Sequence, residues 1–414
     1  MDSFYYRQGK LCCEELPLDK LADSVGTPCY VYSKGGLLGS YNELDSAFAG
    51  LDHMICFSVK SNSSLALLKL LGERGAGMDI VSSGELYRSL RAGVPAGSIV
   101  YSGVGKTDSD IRYALESGIL CFNAESLPEL EALDRVAGSL GKVAPVSLRI
   151  NPDVASNTHE YTSTGRKETK FGIPFTAALD CYREIRSYRN LRVFGIDMHI
   201  GSQITELEPI VLATERLAEL FLRLSEEGIR LEAVDIGGGL GIRYHDETPP
   251  SPAEYAKALV PVLKPLGCRL IIEPGRYISG QAGALLTRVI YFKETGVKNF
   301  AVVDAGMNDL IRPSLYNSYH RVLPVSEDNK GRAVSMDVVG PICESGDWLA
   351  KDRLLPPPEP GDLMAVLSAG AYGFTMSSNY NSRPRGAEVL VDGTGYRVIR
   401  RAETLEDLVR GEEL

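Results

Sequence analysis

The sequence predicts an α/β chain with a second, mostly β domain: a (β/α)8 TIM-like barrel, then strands without long helices between them. Three observations carry this. From about residue 53 to 275, an apolar strand, a polar or glycine-rich strand end and a helical run recur in turn. Eight such units in roughly 250 residues is the size of a closed parallel barrel. The chemically unusual residues (Lys60, Asp79, Asn123, His199, Gly237, Gly238, Gly239 and Glu273) fall at the carboxyl ends of the expected strands. A barrel would gather those ends at one mouth. Counting strands alone leaves a doubly wound open sheet as the competing architecture.

Taken in order, residues 1–34 hold short strand-like pieces, clearest at 28–32, and Gly35 and Gly36 then punctuate the chain. A helix is expected over 37–48. Barrel strands are expected at 54–59, 78–81, 99–101, 119–122, 146–150, 193–199, 233–236 and 270–273, with helices such as 83–92, 109–116, 127–137, 176–187, 210–227 and 252–266. After Gly280, strands at 285–292, 300–304, 334–339, 363–367, 387–391 and 396–401 read as a β-sandwich or barrel-like domain. The N-terminal strands need a sheet to pair with, so the expected domains are 35–280 for the barrel and 1–34 with 281–414 for the β domain.

Composition narrows the function classes. Hydrophobic residues make up 44% of 414, enough for a large core, which argues against disorder. The net charge of -10, without a long basic run, argues against nucleic acid or an anionic membrane as the main partner. The N-terminus lacks the apolar core of a signal peptide, and no apolar run is long enough to span a bilayer. Eight scattered cysteines, none in a C-x-x-C pair, read as free thiols in a reducing cytoplasm, with no metal site expected.

The apolar run 53–57 leads through Ser58 and Val59 to Lys60, and Leu65, Leu67, Leu68, Leu70 and Leu71 follow at helical spacing. The bland reading is a solvated lysine past a strand end. The functional reading is a Schiff-base amine held in a cleft. At 233–241, a strand runs into Gly237, Gly238, Gly239 and Gly241; such a cluster is a tight turn or a nest of N–H groups for phosphate. His199, Gly201 and Ser202 follow another strand; an imidazole there can stack on a flat ring, and Ser202 can bind phosphate. Asp79 could support that group or merely cap the next helix. Glu273, Pro274, Gly275 and Arg276 join an acid to a base across a forced turn. A carboxylate beside a pyridine nitrogen keeps it protonated and therefore electron-withdrawing. Arg276 could clamp a carboxylate. The turn at 340–347 presents Cys343, Glu344 and Asp347, which is unusual for a core thiol. Runs at 312–316, 370–373 and 379–384 add polar and aromatic loop groups.

Together these runs resemble the fold-type III pyridoxal-phosphate decarboxylases, and among them the members acting on meso-diaminopimelate. FSVKSN, HIGSQ, DIGGGLG, EPGR, RPSLY, CESGD and GAYG occur in that family's order along nearly the whole chain. The resemblance implies the following roles. Lys60 holds pyridoxal 5'-phosphate. Asp79 lies in the cofactor site, His199 stacks on the ring and Glu273 meets its nitrogen. Ser202, Gly238, Gly239, Gly275 and Arg276 hold the phosphate. Tyr372 lies near cofactor and substrate. Arg276, Arg312, Tyr316 and Glu344 bind the non-reacting end of the substrate, and Cys343 donates a proton. It also implies a homodimer, with Cys343 and Glu344 supplied from the other subunit and the β domain completing the active site. The implied reaction releases carbon dioxide and L-lysine. Three other readings stand beside it: a relative acting on ornithine, arginine, carboxynorspermidine or a carrier-bound glutamyl group; an alanine-racemase-like enzyme; or a non-catalytic regulatory homologue. The first lacks a use for the Arg-plus-Glu344 pair. The second works with a tyrosine and gives no reason to expect Cys343. The third can lose its lysine or cysteine, whereas Lys60 and Cys343 are both present here.

Overall fold

The computed structural model describes residues 3–154, 170–328 and 331–414. The chain divides into two compact units. One comprises Tyr41–Ile242 and Thr248–Tyr277; the other takes the chain up to Ser40, Arg243–Glu247 and Ile278–Leu414.

The first unit is a closed parallel barrel. Its strands are β1 (His53–Ser58), β2 (Gly77–Ile80), β3 (Ile99–Tyr101), β4 (Cys121–Ala124), β5 (Ala144–Asn151), β6 (Leu191–Asp197), β7 (Ala233–Asp235) and β8 (Arg269–Ile272). Neighbours in sequence are neighbours in the sheet. The ring closes where β8 pairs with β1 in parallel, Ile272 opposite Ile55. Closure decides against the open sheet. The barrel interior is apolar. Cys56, Val100, Cys121, Phe194, Ala233 and Ile271 form one buried cluster. Burying a side chain of Leu or Phe size contributes roughly 1.5–3 kcal/mol.

Helices face the barrel with one apolar stripe. In Glu208–Glu226, Ile210, Ala213, Leu217, Leu220, Phe221 and Leu224 are buried, the spacing of a single helical face. Helix starts are chemically marked. Thr107 caps Asp108–Ser117 and Ser251 caps Pro252–Leu263, each in a reciprocal capping box. Gly35 and Gly36 do not interrupt the chain as expected. They lie inside the helix Lys34–Ala47. Ser33 offers its hydroxyl to the Gly36 N–H at 2.8 Å, which starts that helix earlier.

The second unit is mostly β. Strand Cys29–Ser33 lies between Gly283–Glu294, antiparallel to it, and Ala387–Asp392, parallel to it. Its core gathers Leu11, Cys13, Leu18, Leu21, Cys29, Val31, Leu286, Val389 and Val391. Two strands of this unit, Val322–Pro324 and Trp348–Leu355, have no counterpart among the expected strands, and the longer is Trp348–Leu355. It ends its sheet and carries Lys351, Asp352 and Arg353, the charge that protects an exposed edge and hides the alternation of a strand. Among the described residues, no helix is long and apolar enough to cross a membrane.

Candidate active site

At the barrel mouth, Lys60 lies in a single 3-10 turn, Val59–Ser61, directly after β1. It is not a solvated lysine. Its Nζ lies 2.5 Å from Asp79 Oδ2, and its side chain is 32% exposed while that of Asp79 is 0%. Asp79 is in β2 opposite Ser58, whose hydroxyl lies 2.8 Å from the same carboxylate oxygen and 2.9 Å from the Glu273 carbonyl. Asp79 is therefore no helix cap. Ser82 caps the next helix, accepting the Glu85 N–H at 3.2 Å. A carboxylate this deep is tolerable because a cation and a hydroxyl meet it.

Glu273 follows β8 and is buried. The Asn123 amide and the Ser102 hydroxyl each lie 3.4 Å from its Oε1. Asp197 and Asp235 end neighbouring strands in register. Carboxylate oxygens of Asp197, Asp235 and Glu273 all lie within 4.8 Å of one another. Burial pushes the Glu273 carboxyl well above its usual range, and the charge of Asp235 pushes it further. Asp197 moves the same way, and Asp235 is pushed up to about 7, burial again being the main cause. Three buried acids this close cannot all be ionised, so the cluster retains protons at neutral pH.

His199 takes a hydrogen bond on Nδ1 from the Gly238 N–H at 3.2 Å. That acceptor role leaves the ring proton on Nε2. Burial, with Arg149 and Lys60 nearby, holds its proton affinity well below the ordinary histidine value. The imidazole is thus a neutral, flat surface. The glycines beside it are required by close approach. A Cβ on Gly238 would strike the Glu273 carbonyl, and one on Gly239, at φ +103°, would lie 2.6 Å from the Gly201 carbonyl. Arg276 opens the short helix Arg276–Ser279 and donates from Nη2 to Ser202 Oγ at 2.9 Å.

The β domain holds a second constellation. The Ser314 hydroxyl, in helix Arg312–Tyr316, donates to the Gly346 carbonyl at 2.5 Å, tying that helix to the turn carrying Cys343 and Glu344. Asp347 closes the turn by accepting the N–H groups of Met307 and Ile342, each at 2.6 Å. The Cys343 N–H donates to Asn381 Oδ1 at 2.8 Å, which gives the run 379–384 a task. Asn381 sits at φ 56° in the left-handed region. Cys343 is exposed, and the described structure has eight free cysteines. Tyr372 also has a left-handed φ of 56°. A non-glycine residue there is strained, which fits a side chain aimed for function.

A family model described as the pyridoxal binding domain of pyridoxal-dependent decarboxylases matches residues 37–280. The diaminopimelate decarboxylase of Pseudomonas aeruginosa is 52% identical over 414 residues, covering 100% of this chain and 99% of its own. The one of Vibrio cholerae is 51% identical over 410 residues, covering 99% and 98%. The chain belongs to the diaminopimelate decarboxylase family. Two solved members of that family carry L-lysine. The Helicobacter pylori structure has a TM-score of 0.92 at 41% identity, covering 95% of this chain and 98% of that one. The M. jannaschii structure has a TM-score of 0.95 at 36% identity, covering 100% and 98%.

The barrel mouth suits the pyridoxal phosphate on which this decarboxylase family depends. It offers an amine at Lys60, a neutral imidazole face at His199 and buried acids around Glu273. The glycines 237–239 leave backbone where a side chain would stand. Asp79 Oδ1 and Asp235 Oδ2 are buried without a hydrogen-bond partner among the described residues, which fits a site built to meet a polar group. The expected residues Lys60, Asp79, His199, Ser202, Gly238, Gly239, Glu273, Gly275 and Arg276 all belong to the barrel unit; Arg312, Tyr316, Cys343, Glu344 and Tyr372 all belong to the β unit. Ser58, Ser102, Asp197 and Asp235 were given no role by sequence reasoning. Asp235 stood at the head of the DIGGGLG run and Asp197 inside the expected strand 193–199, and an acid within an apolar run was the available signal.

Proposed function

We propose that this protein removes the carboxylate at the D-centre of meso-2,6-diaminopimelate, releasing carbon dioxide and leaving L-lysine, the last step of lysine synthesis. The observation that carries this is likeness over the whole chain to diaminopimelate decarboxylases, 52% identity in one case. It is therefore a carboxy-lyase.

Bound at the mouth, pyridoxal phosphate supplies the electron sink that accepts the pair left when carbon dioxide departs. Lys60 Nζ would hold it and would yield that place to the substrate amine. Asp79 anchors that amine. Glu273 presents its carboxyl at the place assigned to the ring nitrogen, where its charged form would keep that nitrogen protonated. His199 gives a neutral face for the ring. Ser202, Arg276 and the backbone at Gly238, Gly239 and Gly275 hold the phosphate, with Tyr372 close by. Arg276 or Arg312 binds the distal carboxylate, Tyr316 lines that end, and Glu344 binds the distal ammonium. Cys343 delivers a proton to the carbon from which carbon dioxide left. We assign the working form to a homodimer in the cytoplasm, with Cys343 and Glu344 provided by the second copy. The free thiols support that compartment.

Incubation with pyridoxal phosphate and a panel of amino acids, products identified by mass, tests this. Meso-diaminopimelate should yield L-lysine, with ornithine and arginine unconverted. Turnover of ornithine or arginine in preference to meso-diaminopimelate would overturn the assignment.

A further inference from the structure

His320 was given no role by its sequence, yet it touches one of the expected substrate ligands. It is fully buried in the β unit. Its Nδ1 lies 2.9 Å from the Leu367 carbonyl. Arg312 Nε donates to its Nε2 at 3.4 Å. A carbonyl can only accept, so Nδ1 carries the proton. A guanidinium N–H can only donate, so Nε2 is bare. The two contacts select one neutral tautomer, which transmits the position of a main-chain carbonyl to an arginine side chain.

The rest of Arg312 is held with equal care. Its Nη2 donates to Ser318 Oγ at 3.3 Å. Its guanidinium carbon lies 5.2 Å from the Tyr244 ring centroid and 5.8 Å from that of Tyr316. The Tyr244 ring in turn meets His320 edge-on, centroids 5.3 Å apart at 77°. Arg353 donates from Nη2 to the His320 carbonyl at 3.4 Å, which fixes the backbone behind the imidazole. Arg312 is itself 5% exposed, so its orientation is set by these neighbours. Recognition of a carboxylate by guanidinium depends on the direction of the N–H fork more than on charge alone.

We propose that His320 is a positioning residue for substrate recognition: it sets the guanidinium plane of Arg312 for a carboxylate on the non-reacting end of the substrate. This rests on the reading of Arg312 as a substrate ligand. The test uses the full-length enzyme loaded with pyridoxal phosphate and assayed with meso-diaminopimelate. His320→Asn can still reach the Leu367 carbonyl but not Arg312. His320→Gln places an acceptor near the lost Nε2. His320→Phe keeps the ring without either nitrogen. The Asn and Phe variants should raise KM about tenfold, with kcat changed less than twofold and pyridoxal phosphate affinity unchanged. His320→Gln should recover most of the KM. In an Arg312→Ala background, His320→Asn should add nothing further. Either of the Asn and Phe variants suffices if the other fails to fold. A raised KM in Arg312→Ala beside a normal KM in His320→Asn or His320→Phe overturns the proposal and leaves the reading of Arg312 intact. A normal KM in Arg312→Ala sinks that reading, and the proposal with it. Additive losses in the double variant also overturn it, since they indicate a fold defect instead of positioning.

Discussion

The barrel mouth and the β-domain turn solve the same problem, holding reactive groups still, by different means. At the mouth the acids Asp79, Asp197, Asp235 and Glu273 are all buried. Each sits in a strand or at its end, so sheet register sets its place. For Asp197, Asp235 and Glu273 burial turns closeness into altered proton affinity, because desolvation penalises every charge that is not matched. In the β domain Cys343 and Glu344 are exposed. Their place comes from a few bonds between side chains and loop backbone, through Asn381, Asp347 and Ser314. A site built on strand ends suits a permanent cofactor. A site built on a turn suits a substrate that must come and go.

Three substitutions can break or sharpen that contrast. The largest effect is expected for Lys60→Ala. Carbon dioxide release should fall by at least about a thousandfold, and borohydride should no longer attach pyridoxal phosphate to the chain. Labelling of another lysine in the unaltered protein would remove the barrel mouth from the argument. Next is Glu344→Ala. It should raise KM for meso-diaminopimelate roughly ten- to a hundredfold while pyridoxal phosphate affinity stays within about twofold, the loss of one charged hydrogen bond. Equal losses of both would mean that the two regions do not divide the labour as argued.

The smallest effect is on stability. Asp235 is pushed up to about 7 in the folded chain, while an unfolded aspartate titrates near 3.8. Between those values the folded state binds a proton that the unfolded state has lost. Stability therefore falls as pH rises through that window, by about 1.4 kcal/mol per pH unit at most, and levels above it. Asp235→Asn removes the term and can keep the bond from the Gly237 N–H, 2.9 Å from Oδ1. Cofactor-free protein carrying it should melt at higher temperature than the unaltered protein at pH 8, with the gap shrinking by pH 5. An equal or lower melting temperature at pH 8 would show that the acid cluster stores no repulsion.

Much of the barrel was legible because its strands are buried on both faces and bounded by glycine or polar residues, as at 99–101, which the structure reproduces as Ile99–Tyr101. Lys60, Glu273 and His199 stood out because a charged or polar group directly after an apolar run is costly without a purpose. The edge strand Trp348–Leu355 did not stand out, since its charges read as loop. Nor did His320, where a lone histidine carries no periodic or spacing signal.

The order of apolar runs by itself determined a repeating β/α region followed by a mostly β region, because side-chain periodicity is a local property of the chain, while closure into a barrel was decided by the pairing of the last strand with the first. The family-matching motifs likewise lie in short contiguous runs. Which groups meet was decided only by the tertiary structure. Lys60 finds Asp79 on the neighbouring strand, Glu273 finds Asp235 and Asp197 at the ends of the two strands before its own, and Arg312 finds His320 beyond the end of its own short helix. Proton affinity depends on distance and burial, and neither quantity exists until the chain has closed on itself.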